Sequence, residues 1–521
     1  MTHFALARRA LLILFGLFVA LYVADLALPR DLWAQDEARY GEVVREMLVD
    51  GRWLVPHLNG HPYPDKPPLY FWLVAGLGWV VGHGELAFRL FSVLSTLAAA
   101  VGVWRVANRI AGRHAAFWSS ALFLSMLLTL IVGHIFRMDM ALTAAAVFAW
   151  DALLARRSDG GKASLLAFWV FTALTVALKG PIGLAFTLLP ALVWLGWEEG
   201  AGLWRRLRPL AGLAGLAALV AAWILAALAT GHGDYLETVW HEQLLGRAVN
   251  SWSHREPAYF YLVLLPFLLM PWSGLVGAGM WRLRRRRNLA WRTVVSFTLP
   301  PLIVLSLVSG KLFIYLQPLV PGLALAGGIA AATLARRALM PWWVAFPPPL
   351  FFGTLAVAFA WAAGGALQSV RDGAESAAAG FALVAFAGLA LAGFKGRNWL
   401  KGWFVLAVLV NLLLFGVLAR ALDPFFSPRA LGEYIAARAA PDTPVGAVNV
   451  TRGILNVYAG RRFDELSPAD AITLMRSHPD AFIIIKDEDA QNSGIVPENC
   501  AERRTFVIEF KTYHVLHACS R

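Results

Sequence analysis

Long apolar runs alternate with short polar segments along most of this chain. Runs of about 20 apolar residues, the length of helix that crosses the hydrocarbon core of a bilayer, recur from Leu11 to Leu418. The pattern predicts a mainly α-helical, polytopic membrane protein with about 13 transmembrane helices. The predicted spans lie near residues 10–28, 85–104, 115–134, 138–155, 163–178, 181–197, 210–230, 257–280, 293–309, 312–333, 341–362, 377–394 and 402–419.

The pattern changes after Asp423, where the chain becomes polar. Short alternating segments predict strands and helices in turn, which is typical of a small α/β domain, and about 100 residues are enough for a core of its own. The predicted strands lie at Val445–Val450, Ala481–Ile485 and Tyr513–Leu516, and the predicted helices at Pro428–Arg438 and Ser467–Ser477. The chain is therefore divided into a membrane domain, 1–423, and a tail domain, 424–521.

Basic residues gather in short clusters between the apolar runs. The clusters contain Arg8 and Arg9; Arg105, Arg109 and Arg113; Arg156, Arg157 and Lys162; Arg205, Arg206 and Arg208; Arg282 and Arg284 to Arg287; Arg336 and Arg337; and Lys395, Arg397 and Lys401. Placing every cluster in the cytoplasm follows the positive-inside rule for a bacterial inner membrane. The N-terminus is then cytoplasmic, and a loop at 29–84 and the tail are periplasmic.

Composition agrees with this topology and narrows the function. Only 15% of the residues are charged, against about 25% in soluble proteins, and the net charge is +13. No basic face with interleaved aromatic residues occurs outside the spans, so nucleic-acid binding is not predicted. A transporter or flippase for a lipid-linked sugar is an alternative of another class; it would place ionisable groups at mid-membrane depth, whereas here they lie at helix ends on one side.

The loop at 29–84 contains two helical patterns. The segment Asp36–Asp50 has an apolar stripe and a polar face that contains Glu42 and Glu46, which predicts an amphipathic helix on the membrane surface. The segment Pro67–Val81 is apolar but short for a span, which predicts an interfacial or re-entrant helix.

Two acidic sites are candidates for chemistry. Asp36 and Glu37 follow the first span, and Asp139 lies beside Arg137 between two apolar runs. A carboxylate at such a place is costly unless it is paired or hydrated, which favours a functional role. Capping of the helices that follow is the competing explanation at both sites.

Three lysines lie on the predicted periplasmic side, where a positive bias is not expected. They are Lys66 in a proline-rich stretch, Lys179 before Gly-Pro, and Lys311 after a glycine. A lysine near a membrane surface can hold a lipid phosphate as a point charge, and snorkelling is the alternative.

The predicted loop at 231–256 adds His241 and Arg247. The fork of an arginine suits a phosphate, and His241 with Asp65 has donor atoms that zinc accepts, although a surface histidine is the default interpretation. The two cysteines, Cys500 and Cys519, allow either a disulfide in a periplasmic tail or two free thiols. No phosphate loop, dinucleotide fingerprint or nucleophile elbow occurs.

These segments together resemble a known family. The stretch QDEARYGEVVREMLVDGRWLVPHLNGHPYPDKPPLYFWLV, followed in order by ALKGPIGL, HEQLLGR and GKLFIYLQPLVPGLAL, is similar to the bacterial aminoarabinose transferases that modify lipid A. These belong with the protein O-mannosyltransferases among the GT-C glycosyltransferases. The resemblance covers about residues 30–330. The chain departs from the family pattern at Asp65, where a Glu is usual, and at Gln243, where a His is usual.

The resemblance implies a 13-helix inverting enzyme with surface helices in its first loop and a periplasmic α/β tail. Its donor is a sugar on undecaprenyl phosphate, and its acceptor is lipid A or, as an alternative, another glycan or a Ser/Thr side chain of a protein. The resemblance implies that no cofactor is required, and it suggests a structural zinc site. The implied catalytic residues are Asp36, Asp139 and Glu37; the implied substrate-binding residues are Lys66, Arg247, Tyr315, Lys311, Lys179 and Tyr40; and the implied zinc ligands are Asp65 and His241.

Overall fold

In a computed structural model the described residues are 15–16, 19–20, 22–24, 30–34, 36–199, 202, 206–241, 255–334, 341–364, 371–392, 399–493 and 500–519. The chain forms two compact units. The first, called the membrane unit, contains residues 1–28, 64–70 and 89–418. The second, called the loop-tail unit, contains residues 29–63, 71–88 and 419–521.

The elements up to residue 334 are mostly helices. In chain order they are α1 (Asp36–Asp50), β1 (His57–Leu58), β2 (His61–Pro62), α2 (Leu69–Val81), α3 (Glu85–Ala111), α4 (Arg113–Ser125), α5 (Leu127–His134), α6 (Asp139–Asp159), α7 (Lys162–Lys179), a 3₁₀ segment (Pro181–Ala185), α8 (Leu188–Glu199), α9 (Pro209–Ala229), α10 (Gly233–Thr238), α11 (Phe260–Leu268), α12 (Ser273–Arg286), α13 (Leu289–Leu307), a second 3₁₀ segment (Phe313–Leu319) and α14 (Val320–Leu334).

The remaining elements lead into the tail. They are α15 (Trp342–Ala345), α16 (Pro347–Ala363), α17 (Arg371–Ala392), α18 (Trp399–Asn411), a π-helical segment (Leu412–Leu418), α19 (Ala419–Phe426), α20 (Arg429–Arg438), β3 (Val445–Val448), α21 (Asn456–Ala459), β4 (Asp464–Leu466), α22 (Pro468–Ser477), β5 (Phe482–Lys486), α23 (Asp487–Ser493), β6 (Cys500–Ile508) and β7 (Lys511–Cys519).

The membrane-spanning character of the chain is confirmed. Within the described residues, nine helices are long and apolar enough to cross a membrane, or eleven if each of two bent helix pairs forms one span. The predicted count of about 13 is not confirmed within these residues. Most of the predicted span 10–28 lies outside the described residues, and the predicted span 138–155 forms α6, which is less apolar because it contains Asp151, Arg156 and Arg157.

At their breaks, the two bent helix pairs form hydrogen bonds with each other. Helices α4 and α5 meet at 60°, and α11 and α12 meet at 112°. The amide of Leu127, which begins α5, donates to the carbonyl of Met270 at 2.9 Å, and the indole of Trp272 donates to the hydroxyl of Ser125 at 2.8 Å. Broken helices are tolerated at membrane depth because protein groups, rather than lipid, meet the freed backbone.

Small residues allow close helix approach in the membrane unit. A Cβ on Gly279 of α12 would collide with the backbone of Ala326 in α14, and a Cβ on Gly328 of α14 would collide with Ser119 of α4. Small residues at crossings are the usual means of packing helices whose surroundings are as apolar as their side chains. Large aromatic side chains fill the interior between them, including the fully buried Trp118, Trp150 and Trp272.

The predicted α/β tail is confirmed as a five-stranded sheet in the order β4-β3-β5-β7-β6. Strands β3, β4 and β5 are parallel, and β7 joins β5 and β6 in antiparallel register. The predicted strands and helices occur within a few residues of their expected bounds, but β4 and β6 were not predicted. The hairpin between β6 and β7 turns at Glu509 and Phe510, which both have positive φ, and neither is a residue that signals such a turn.

Of the two alternatives for the cysteines, a disulfide or two free thiols, the structure has the disulfide. Cys500, at the start of β6, is disulfide-bonded. The position opposite it in the β6–β7 ladder is Cys519.

The first loop and the tail share one core in the loop-tail unit. The buried side chain of Asn59 donates to the carbonyl of Phe463 and accepts from the amide of the same residue, each at 2.9 Å. It also accepts from the side chain of Asn456 at 2.7 Å. Helix α1 packs against α21, and Gly41 is needed because a Cβ there would collide with Leu32 and crowd Val457.

Helix α1 has its predicted bounds, but its polar face is not exposed. The side chains of Glu42 and Glu46 are buried. Arg45 donates to both carboxylate oxygens of Glu42, each at 2.7 Å, and the amide of Gly60 donates to Glu46 at 3.0 Å. The polar face is therefore a set of satisfied internal contacts, which the amphipathic pattern alone does not distinguish from a solvated one.

We predict that the loop-tail unit loses stability between pH 5 and 8 because of Glu42. Burial raises the pKa of this carboxyl to about 8, against the opposing effect of Arg45. A carboxyl whose folded pKa lies above its unfolded value contributes stability below about pH 4.5 that is lost as the pH rises through 8, by roughly 2–4 kcal/mol. The midpoint of thermal unfolding in detergent should fall over this range, and Glu42→Gln should flatten the profile.

Glu433→Gln, at an exposed carboxyl of the same unit, is the control and should leave the pH profile of the wild type unchanged. An identical profile for the wild type and Glu42→Gln would contradict the prediction.

Candidate active site

Asp139 is the centre of a buried ion cluster in the membrane unit. Its carboxylate is fully buried; Arg137 donates to Oδ2 at 3.2 Å, and the Nζ of Lys179 contacts Oδ1 in a short ion pair. The N-cap of α6 is Met138, without a side-chain cap bond, so Asp139 does not cap the helix as the competing explanation required. Its side chain is committed to the two cations instead.

The antiparallel pair α6 and α7 brings Asp139 and Lys179 together. A tight turn at Gly160 and Gly161 joins the helices, and Gly160 has a φ of 63°, which favours glycine at the helix end. The helices have 21 and 18 residues, so the first residue of one lies beside the last residue of the other. The sequence analysis had named both residues without linking them.

Tyr315 completes the cluster from the second 3₁₀ segment. The ammonium of Lys179 lies 4.3 Å from the centre of the Tyr315 ring, a distance at which a cation is attracted by an aromatic face. Three residues that the sequence analysis assigned from separate segments, Asp139, Lys179 and Tyr315, thus meet in one place.

If Asp139, Arg137 and Lys179 are all charged, the cluster carries one net positive charge. Both oxygens of Asp139 are occupied by cations, so this carboxylate acts as a counter-ion that fixes the position of Lys179. A fixed cation of low exposure is suited to stabilise negative charge, because little reorganisation is needed when that charge develops.

Gln317 was missed by the sequence analysis and lies in the same 3₁₀ segment as Tyr315. Its side-chain amide is fully buried and donates to the hydroxyl of Thr129 at 3.2 Å. It also approaches the sulfur of Met140 at 3.7 Å. An amide in an otherwise apolar run was the available signal, since buried polar groups at membrane depth need partners.

Lys311 is held by the backbone. It is buried, and its ammonium donates to the carbonyl of Glu256 at 2.7 Å. The turn that carries it is anchored by Arg255 and Gly310, which form a short antiparallel bridge. Arg247, the other predicted phosphate ligand of this region, lies outside the described residues.

Asp65 and Lys66 belong to the short segment of the first loop in the membrane unit. Both are half-buried. Burial raises the pKa of Tyr235 on α10, and the nearby carboxylate of Asp65 raises it further. Tyr235 is a second residue that the sequence analysis did not name.

The residues predicted to hold zinc do not form a metal site by themselves. His241 is exposed, and no group of three or more His, Cys, Asp or Glu side chains in the described part of the chain is arranged to bind a metal ion. Zinc sites in proteins use at least three protein ligands. Asp65 and His241 supply two donors, which is fewer than a zinc site needs.

The remaining predicted residues lie on helix α1 in the loop-tail unit. Asp36 begins the helix; it is half-buried and lies 4.0 Å from Arg39. Both carboxylate oxygens of Glu37 have protein partners, Arg30 at 2.9 Å and the amide of Trp33 at 2.9 Å. Tyr40 is fully buried. Asp36 is thus the most accessible of the three residues that the resemblance implied here.

We expect Asp139→Asn to destabilise the membrane unit by about 3–5 kcal/mol, because it leaves two cations of low exposure without their counter-ion. Lys179→Met should cost less, since Arg137 still pairs with the carboxylate. Thermal unfolding in detergent measures both changes.

Asp151→Asn is the matched control. Asp151 also pairs with two arginines, but Arg105 and Arg109 are 46% and 34% exposed, so solvent screens the charges that remain. Equal stability of Asp139→Asn and the wild type would contradict a structural role of the cluster.

Comparison with known sequences places the chain near two groups of transferases. The sequence model of the family described as dolichyl-phosphate-mannose-protein mannosyltransferase matches residues 65–226. The undecaprenyl phosphate-α-4-amino-4-deoxy-L-arabinose arabinosyl transferase of Erwinia tasmaniensis is 31% identical over 342 residues. The match includes 63% of this chain and spans about three fifths, 61%, of that relative.

Solved structures confirm the fold. The chain superposes on apo ArnT from Cupriavidus metallidurans with a TM-score of 0.79 at 19% identity, over 96% of this chain and 97% of the other. The same protein bound to undecaprenyl phosphate gives a TM-score of 0.77 at 19% identity and the same coverage. The archaeal oligosaccharyltransferase AglB from Archaeoglobus fulgidus gives a TM-score of 0.54 at 13% identity, over 91% of this chain and 69% of the other. The similarity to aminoarabinose transferases found in the sequence is confirmed, and the chain has the fold of the ArnT structures.

Proposed function

We propose that this chain is an inverting glycosyltransferase that moves a sugar from undecaprenyl phosphate to lipid A. The sugar is of the 4-amino-4-deoxy-L-arabinose type. The observation that carries the proposal is the cluster of Asp139, Lys179 and Tyr315, which provides a fixed cation for an anionic leaving group. The name of the relative from Erwinia tasmaniensis and the undecaprenyl phosphate in the solved ArnT structure support this donor.

The reaction requires charge stabilisation rather than a cofactor. The bond between the anomeric carbon and the phosphate oxygen breaks, and the acceptor oxygen bonds to the opposite face of that carbon. Negative charge grows on the departing undecaprenyl phosphate, where Lys66, Lys179 and Arg247 stabilise it. Lys311 contributes less, because its ammonium is committed to a carbonyl.

Asp36 acts on the acceptor, and its role depends on the chemistry of the acceptor group. If the acceptor is a hydroxyl, its proton passes to the carboxylate of Asp36 as the new bond forms. If the acceptor is an ionised phosphate of lipid A, no proton moves, and Asp36 orients the acceptor or offsets positive charge on the sugar. Glu37 contributes by holding the turn before α1, since both of its oxygens bind Arg30 and Trp33.

The site operates on the periplasmic side of the inner membrane. The basic clusters between the apolar helices support a cytoplasmic N-terminus. The disulfide at Cys500 supports a periplasmic tail, because disulfides persist in oxidising compartments.

Protein O-glycosylation is the second candidate function. The family description that matches residues 65–226 names a protein acceptor, so a Ser/Thr hydroxyl competes with lipid A in this role. Both candidates share the lipid-linked donor and differ in the acceptor alone.

We expect purified protein to release undecaprenyl phosphate from one member of a panel of undecaprenyl-phosphate sugars when lipid A is present. Asp36→Asn and Lys66→Ala should each abolish this turnover while the protein still inserts and purifies normally. Lys179→Met should lower turnover by about 100-fold, as expected when one stabilising group is lost from a developing anion.

Asp50→Asn, at the other end of α1, is the control and should retain turnover. Wild-type turnover by Asp36→Asn or Lys66→Ala would remove the assigned role of that residue. No release from any donor in the panel would overturn the proposed function.

Deletion of the gene should identify the acceptor. Mass spectrometry of lipid A should show loss of the added aminosugar, with periplasmic glycoproteins unchanged. The reverse result would favour protein glycosylation over lipid A modification.

A further inference from the structure

The backbone just before Asp36 is held by residues from the far end of the chain. The amide of Asp31 donates to the carboxylate of Asp423 at 3.2 Å. The next amide, of Leu32, donates to the hydroxyl of Tyr458 at 2.7 Å. The amide of Ala34 donates to the carbonyl of Phe426 at 2.8 Å. Three amides within four residues are therefore bound by groups more than 390 positions later.

Side chains of the same segment repeat this pattern. The indole of Trp33 stacks on Phe426, with ring centres 4.9 Å apart, and its Nε1 donates to Asp423 at 2.7 Å. The carboxylate of Asp31 accepts from the hydroxyl of Ser427 at 2.7 Å and pairs with Arg429 at 2.9 Å. The segment 30–34 is thus bound through its backbone and its side chains at once.

Tyr458 links the two sides of this contact through one hydroxyl. The hydroxyl accepts from the amide of Leu32 and donates to the carboxylate of Glu85 at 3.0 Å. Arg429 pairs with the same carboxylate and lies 4.9 Å from the Tyr458 ring. Burial and the carboxylates of Glu85 and Asp31 raise the pKa of Tyr458, so the hydroxyl keeps its proton and both of its hydrogen bonds.

We propose that Asp423, Arg429 and Tyr458 are positioning residues for Asp36. Together they form a clamp on segment 30–34, and α1 begins at Asp36 two residues after that segment. The clamp belongs to the tail and the end of the helix before it, so the tail holds the first-loop carboxylate in place. This inference rests on the proposed function, in which Asp36 acts on the acceptor.

Fixed placement matters because catalysis by a positioned group is sensitive to small displacements; about 1 Å can cost 100-fold in rate. A clamp of several hydrogen bonds, partly buried, limits such displacement more than a flexible linker would. If the same contacts served stability alone, loosening them would lower the fraction of folded protein without changing the turnover of the molecules that remain folded.

Tyr458→Phe tests the clamp with the smallest change. It removes the hydroxyl that binds Leu32 and Glu85 and keeps the ring beneath Arg429. Hydrogen exchange of the amides at residues 31–34 should accelerate by roughly tenfold, which corresponds to the loss of one hydrogen bond. With lipid A as acceptor, kcat should fall by about tenfold, and KM for the undecaprenyl-phosphate sugar should stay within about twofold.

A second variant and a control separate positioning from folding. Trp33→Phe keeps the stack on Phe426 but removes the hydrogen bond to Asp423, and it should reproduce the fall in kcat. Tyr434→Phe removes a tyrosine–carboxylate hydrogen bond to Glu502 in the same unit that involves no residue of segment 30–34, and it should leave exchange and kcat unchanged.

The outcomes are distinguishable. Faster exchange at 31–34 with an unchanged kcat overturns the positioning role while the proposed function stands. Unchanged exchange in both clamp variants overturns the clamp itself. A wild type that turns over no sugar donor overturns the proposed function and, with it, the catalytic purpose of the clamp; the exchange data then report the clamp as a structural contact only.

Discussion

A charge with little access to water has to be matched within the protein, and much of this fold follows from that constraint. Asp139 is fully buried and is matched by Arg137 and Lys179. Helices α6 and α7 must therefore have nearly equal length and a tight glycine turn, or the partners would not meet. The same contact orients Lys179 against Tyr315, so the pairing that matches the buried carboxylate also builds the candidate anion site.

Polar backbone groups with little access to water also need partners within the protein. The breaks between α4 and α5 and between α11 and α12 free amides and carbonyls from their helices, and lipid could not satisfy such groups. The amide of Leu127 at one break donates to the carbonyl of Met270 at the other, and the indole of Trp272 donates to the hydroxyl of Ser125. In the loop-tail unit, Asp423 and Tyr458 satisfy the amides of the first loop in a similar way. The two helix breaks and the segment before Asp36 thus share one property, which is that distant residues complete their backbone hydrogen bonds.

Elements with a strong period were predictable, and contacts between distant elements were not. The helix Asp36–Asp50 was predicted with its observed bounds, because its apolar stripe repeats at the helical period. The burial of Glu42 and Glu46 was not, since an amphipathic pattern does not say what covers its polar face. Strand β6 was missed because the turn at Glu509 and Phe510 carries no turn residue; the amide of Glu509 donates to the carbonyl of Phe425, which helps to hold that turn.

The sequence by itself determined the membrane-spanning architecture, the α/β tail and the residues that carry charge near helix ends, because hydrophobic length and period are local properties. It also supplied a family resemblance through ordered motifs. The tertiary structure alone decided which charged groups meet. Asp139 and Lys179 are 40 positions apart, and Asp31 and Asp423 are 392 apart, so their contacts depend on how helices pack. No local pattern records such partners, because each side chain's environment is created by segments elsewhere in the chain.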